Sequence, residues 1–120
     1  MVYKYKNQPT NRQLKVSELI RREIATIFIK LEVYHPALEG LSLTITDVKI
    51  SADLKIATIF IYPVKPSIDN GLIKLLNFLA PEYRKKLIHR IKLKHAPAIR
   101  FVADKNIDSK IIMEKKIGVD

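Results

Sequence analysis

Apolar residues recur along this chain with two periods. Between Asn11 and Leu31, the positions Val16, Leu19, Ile20, Ile24, Ile27, Phe28 and Leu31 fall on one arc at about 100° per residue, so the segment predicts an amphipathic helix. Thr10 and Gln13 have the spacing of a capping box at its start. Arg12, Lys15, Arg22 and Lys30 face the other way, and Glu18 precedes Arg22 by four residues, the spacing of an intrahelical ion pair. Ile29 falls among these polar positions and is expected to be exposed or to lie past the helix end. Pro36 and Gly40 punctuate the connection that follows. The period then changes to two. LSLTITDVKI (41–50) and LKIATIFIYPV (54–64) are rich in Ile, Val and Thr and predict a hairpin, with Ser51-Ala52-Asp53 as its turn and Asp53 accepting local backbone hydrogen bonds. Ala57, Ile59 and Ile61 alternate cleanly with Thr58, Phe60 and Tyr62. In the first strand the phase slips between Ile45 and Val48, which predicts a bulge near Thr46–Asp47.

Pro63 and Pro66 end the second strand. Asp69 is a reasonable N-cap for a helix through Leu79. Pro81 disfavours helical geometry at Ala80 yet suits the first turn of a new helix, with Glu82 near its positive end. Two helices are therefore expected to meet at Ala80–Pro81, the second reaching about Leu93. Pro97 interrupts again, and AIRFVA (98–103) predicts a third strand. Residues 107–117 suggest at most a short further helix. The order is α-β-β-α-kink-α-β, an α+β domain with a three-stranded sheet and its helices on one face. It spans residues 10–104, with 1–9 and 105–120 as loosely ordered ends. This order matches a KH-type RNA-binding fold with an added N-terminal helix.

Composition narrows the classes. A chain of 120 residues, 48% hydrophobic, is one domain's worth with enough apolar surface for a core. Cysteine is absent, which excludes a disulfide scaffold, a thiolate zinc site and a cysteine nucleophile. No run approaches the ~18 apolar residues of a membrane-spanning helix. The first residues, MVYKYKNQPTNRQ, lack the apolar core of a secretion signal. The expectation is a cytoplasmic, monomeric protein that does not use a membrane.

Charge changes the picture further. The net charge is +10, and residues 69–97 hold seven basic side chains against two acidic ones. With Tyr83 at 0° on a helical wheel, Leu87 and Ile91 lie near it, while Lys92, Lys85, His89, Lys86 and Arg90 follow from about 180° to 340°. Lys94 extends this cationic face, and Arg84, inside the apolar arc, is expected to snorkel. Unneutralised cations spaced on a rigid element suit phosphate binding. The plainer explanation is a solvated basic face. The glycine-x-x-glycine loop of KH domains is absent, and LAPEYR stands between the two helices instead. Phe60 and Tyr62 could stack bases but more simply pack within the sheet. His35, His89 and His95 lack metal-ligand spacing, and Asp47 and Asp53 belong to the hairpin. No nucleophile elbow, phosphate loop or zinc pattern is present, so neither an enzyme nor a metal or cofactor is expected.

Three stretches resemble the ribosome-binding factor A family: RQLKVSELIRREIATIF as its first helix, DVKISADLKIATIFIY as its hairpin, and LNFLAPEYRKKL followed by RFVAD as its kinked helices and last strand. The resemblance spans about residues 11–104. In that family an alanine-centred kink, A-x-G, replaces the glycine loop. The matching positions here are Ala80, Pro81 and Glu82, with the alanine kept and the glycine not. The resemblance implies an assembly factor that binds the 16S rRNA of the free 30S subunit, assists its late maturation and supports processing of the rRNA 5′ end. Arg12, Lys15, Arg22, Lys85, Lys86, Arg90, Lys92 and Lys94 are the expected RNA-binding residues. Two other classes share the charge: a general nucleic-acid-binding module, and a basic binder of membranes or acidic proteins.

Overall fold

A computed structural model describes residues 8–41, 43–63 and 70–104 of the chain. The element order is α1 (Asn11–Ile29), β1 (Leu43–Ile50), β2 (Ile56–Pro63), α2 (Asn70–Arg90) and β3 (Ala98–Ala103), with a 3-10 turn at Pro36–Leu38. The expected loosely ordered ends fall largely outside the described residues, as do Asp69 and the suggested helix within 107–117.

The capping box forms at the start of α1. Gln13 N–H donates to Thr10 Oγ1 at 3.1 Å, and Thr10 N–H donates to Gln13 Oε1 at 2.8 Å. The same Gln13 side chain is buried and donates from Nε2 to Ile50 O at 3.1 Å, so the residue that starts the helix also fastens it to the end of β1. At the other end, Leu31 N–H bonds to Phe28 O and Glu32 N–H to Ile27 O, the paired bonds of a Schellman close. Glycine usually takes the left-handed position of that motif, but here Leu31 does, at φ 52°. Ile29 is 82% exposed, as its place on the polar face requires. The expected Glu18–Arg22 pair is replaced by Glu18–Arg21 at 3.8 Å, while Arg22 lies 3.8 Å from Glu23.

β1 and β2 pair antiparallel, with the register shifting between Ile45 and Asp47 where the phase slip predicts a bulge. Ser51 and Asp53 build the turn. Asp53 Oδ1 accepts from the Ser51 hydroxyl at 2.7 Å and from Lys55 N–H at 3.0 Å. β3 lies parallel to β2, giving the sheet order β1-β2-β3. Both helices cover one sheet face, α1 chiefly over β1 and α2 over β3. Ala57, Ile59 and Ile61 are fully buried beneath them, together with Ile20, Ile24, Ile27, Leu76 and Leu87. Phe28, Tyr83 and Phe101 join α1, α2 and β3 in a ring cluster with centroids 5.2 to 6.2 Å apart. Burial pushes the Tyr83 phenol well above its ordinary pKa.

Helix α2 corrects one expectation. It runs unbroken through Ala80, Pro81 and Glu82, so the two helices expected to meet there are one element. Proline lacks the N–H that would close the local turn, but Leu76, Leu79, Ala80, Tyr83 and Leu87 bury a continuous stripe on both sides of it. The packing of that stripe holds the helix together where local propensity would end it. α2 also stops at Arg90 rather than Leu93, so Lys92 and Lys94 belong to the connection into β3.

Candidate nucleic-acid interface

The C-terminal half of α2 presents Lys85, Lys86 and His89 to solvent, and Lys92 is exposed just beyond it. Lys85 is 70% exposed and lies 3.7 Å from Glu82, a surface pairing that leaves its charge largely available. Lys15 and Arg22 are exposed on α1.

Arg90 departs from the expected set. Its guanidinium donates from Nη1 to Glu23 at 3.1 Å and from Nε to Glu32 at 3.1 Å, with a second bond from Nη2 to Glu32. The side chain is only 24% exposed. Its hydrogen bond from Arg90 is the first cause holding the Glu32 carboxyl below its usual pKa, and the reciprocal bond raises the guanidinium. Arg90 is therefore a clamp between α1 and α2, with its charge met by two carboxylates. The Schellman close places Glu32 where Arg90 can reach it.

A cleft of about 800 Å³ opens where four segments meet: the start of α1, the β1–β2 turn, α2 near Arg84 and the connection into β3. Arg12, Lys55, Arg84 and Lys94 line it, with His95 and a single carboxylate, Asp53. Val16, Leu54 and Leu93 supply apolar wall. The Ser51 hydroxyl, followed by the Lys55 N–H, holds the Asp53 pKa low, so this exposed carboxylate is engaged by the turn's own donors. The first turn of α1 contains no acidic residue, so its positive helix end adds to the cationic field. Arg84 reaches the cleft by the snorkelling expected of it, donating from Nε and Nη2 to Ala96 O at 3.3 and 3.0 Å. The structure thus brings Arg12 and Lys94, far apart in sequence, into one site. Lys55 and His95 join them, Lys55 without any signal in the sequence and His95 considered there only as a metal ligand; the tertiary meeting of the hairpin turn with the α2–β3 connection places them in the cleft.

The remaining candidates have structural roles. His35 Nδ1 accepts from Ala37 N–H at 3.1 Å and caps the 3-10 turn. Phe60 and Tyr62 are half-buried in the sheet. Among the described residues no group of three His, Asp or Glu side chains is arranged to hold a metal, and no helix is long and apolar enough to cross a membrane.

A sequence profile of the family described as Ribosome-binding factor A matches residues 12–117. The chain belongs to the ribosome-binding factor A family. Ribosome-binding factor A of Beijerinckia indica is 39% identical over 100 residues, covering 83% of this chain and 71% of that protein. The factor of Nitrobacter winogradskyi is 38% identical over 106 residues, covering 88% and 77%. The crystal structure of ribosome-binding factor A from Thermus thermophilus superposes with a TM-score of 0.63 over 76% of this chain and 94% of that one, at 19% identity. A second Thermus thermophilus coordinate set of ribosome-binding factor A, fitted into a cryo-EM map of a 30S complex, superposes at 0.56 with 15% identity, covering 80% and 94%. At such identities the two likenesses establish the shared fold, which is the KH-like α+β arrangement.

Proposed function

We propose that the chain is a ribosome assembly factor that binds the free 30S subunit through its 16S rRNA, assists late maturation and supports processing of the rRNA 5′ end. It works as a cytoplasmic monomer and departs before or during the subunit's entry into translation. The observation that carries the RNA contact is the convergence of Arg12, Lys55, Arg84 and Lys94 on one cleft, continued by exposed Lys85, Lys86 and Lys92. Phosphates are the natural partners of such a surface, since each neutralised charge releases counterions. The Thermus thermophilus relative fitted into a map of a 30S complex supports the choice of subunit.

In this reading the protein contributes shape and charge. The ring cluster and the Arg90 clamp hold α1 and α2 at a fixed angle, so the cations sit on a rigid wedge. A wedge that fits one rRNA conformation better than its alternatives shifts the population toward that conformation. Lys15 and Arg22 extend the contact along α1, and Ala80, Pro81 and Glu82 shape α2 where KH domains carry their loop. The test is sucrose-gradient fractionation of a lysate probed for this chain. It is expected with free small subunits and absent from translating ribosomes, and depletion is expected to leave 16S rRNA with an unprocessed 5′ end. Recovery only at the top of the gradient, with normal rRNA ends, would overturn the proposal.

A further inference from the structure

Phe78 is 79% exposed in the middle of α2, although the helix buries Leu76, Leu79 and Ala80 on either side of it in sequence. A phenyl ring held in water forfeits the burial that usually places it in a core. Its neighbours on the same face are specific. Lys74 lies one turn before it and Lys85 two turns after it, and both are exposed. At helical rise their backbone positions lie ~6 Å before and ~10 Å beyond that of Phe78 along the axis. Glu82, one turn on, leans toward Lys85 at 3.7 Å. A single RNA strand supplies the matching groups: flat aromatic bases, with phosphates along the backbone before and after each of them.

We infer that Phe78 is a stacking platform for one unpaired base of an RNA strand whose flanking phosphates meet Lys74 and Lys85. The inference rests on the rRNA-binding reading and adds to it a defined contact with single-stranded RNA. Charge complementarity selects RNA over an apolar protein surface as the occupant: Pro81 is the one exposed apolar side chain within a turn of the ring, whereas exposed Lys74 and Lys85 stand before and after it. Stacking tolerates any base, so the contact favours an unstacked nucleotide over a particular letter.

The chain contains no tryptophan, so Phe78→Trp is a single-fluorophore reporter at the site itself. The full chain, Phe78→Ala and Phe78→Trp are titrated with free small subunits and with a short unstructured RNA. Loss of one stacked base is worth roughly 5- to 100-fold in affinity, and that loss is expected of Phe78→Ala. Phe78→Trp is expected to bind within a few-fold of the unaltered chain, with its emission quenched by RNA alone. Unaltered affinity in Phe78→Ala, alongside normal salt-dependent binding of the parent chain, would overturn this inference and leave the assembly-factor reading standing. Emission that shifts to the blue without quenching on subunits, and does not respond to RNA, would also overturn it by placing a protein surface on Phe78. Failure of the parent chain to bind subunits at all would overturn both.

Discussion

Two side chains show how single residues set this fold, and neither role was legible from periodicity alone. Arg90 looked like one of several cations on a solvated face. At 100° per residue it stands about 20° outside Tyr83, the edge of the arc that Tyr83, Leu87 and Ile91 bury from about 0° to 80°, and Glu23 stands as close outside Val16, the edge of the buried arc on α1. Both charges therefore sit on the rims of apolar stripes, and opposite charges there pair when the helices pack. Glu32 could not be foreseen, since its position depends on Leu31 adopting a left-handed conformation. The Glu32 pKa is lowered in the folded state, chiefly by its hydrogen bond from Arg90. Its stabilisation is thus present above the ordinary glutamate pKa and is lost as pH falls through the lowered folded value. Thermal midpoints of the parent chain and Glu32→Gln are expected to differ most near pH 7 and to converge only as pH falls below the ordinary glutamate range and through the lowered folded value. A gap that does not change with pH would contradict the ion pair. Asn77 is the second case. Its side-chain amide donates to Phe101 O and accepts from Phe101 N–H, both at 2.8 Å, so it satisfies the backbone of β3 on the edge away from β2. Asn77→Ala leaves both groups unpaired and is expected to cost about 1–3 kcal/mol in chemical denaturation. A change under about 0.5 kcal/mol, the usual range for surface substitutions, would show that water replaces the amide without loss.

Elements divide by whether their rules are local. The capping box, the strand alternation, the bulge and the Ser-x-Asp turn are all written in residues a few positions apart, and each forms where the sequence places it. The continuity of α2 is a tertiary outcome. Proline's bias against a helical preceding residue is a local rule, and the stripe from Leu76 to Leu87 packing on β3 overrides it. The end of α2 at Arg90 has the same origin, because Lys92 and Lys94 must turn back for β3 to lie parallel to β2. Two comparisons test this. Ile59 is fully buried between Val48 and Phe101 in register, and Ile59→Ala is expected to cost about 2–5 kcal/mol through the cavity it leaves. Lys85→Ala is expected within about ±0.5 kcal/mol, as is usual at the surface. The reverse ranking in denaturation would misplace the core face of β2. Pro81→Ala restores a helix-favouring residue, and we expect a folded protein with shifted α2 amide resonances around position 81 and weaker subunit binding. Unchanged resonances and unchanged binding would show that the packed stripe fixes the path of α2 as well as its continuity, leaving Pro81 no part in either.

At the scale of the whole molecule, the candidate cations among the described residues share a side. α1, the cleft and the outer face of α2 carry the candidate cations, whereas Arg100 is exposed on β3 on the sheet face opposite the helices. The excess of basic residues in the region 69–97 was visible in composition, and the helical wheel found most of that face. The cleft was not visible, because Arg12, Lys55 and Lys94 are joined only by folding. If this side of the molecule meets rRNA phosphates, as proposed, its binding must weaken as salt rises. Binding to free small subunits is measured across a salt series for the parent chain, for Lys85→Ala/Lys94→Ala and for Arg100→Ala. Each lost phosphate contact flattens the slope of log affinity against log salt by roughly one unit or slightly less. The paired variant is predicted to flatten the slope by about two units and Arg100→Ala to leave it unchanged. A larger change from Arg100→Ala would move the footprint to the opposite sheet face, and a parental slope in the paired variant would contradict the proposed electrostatic docking on rRNA.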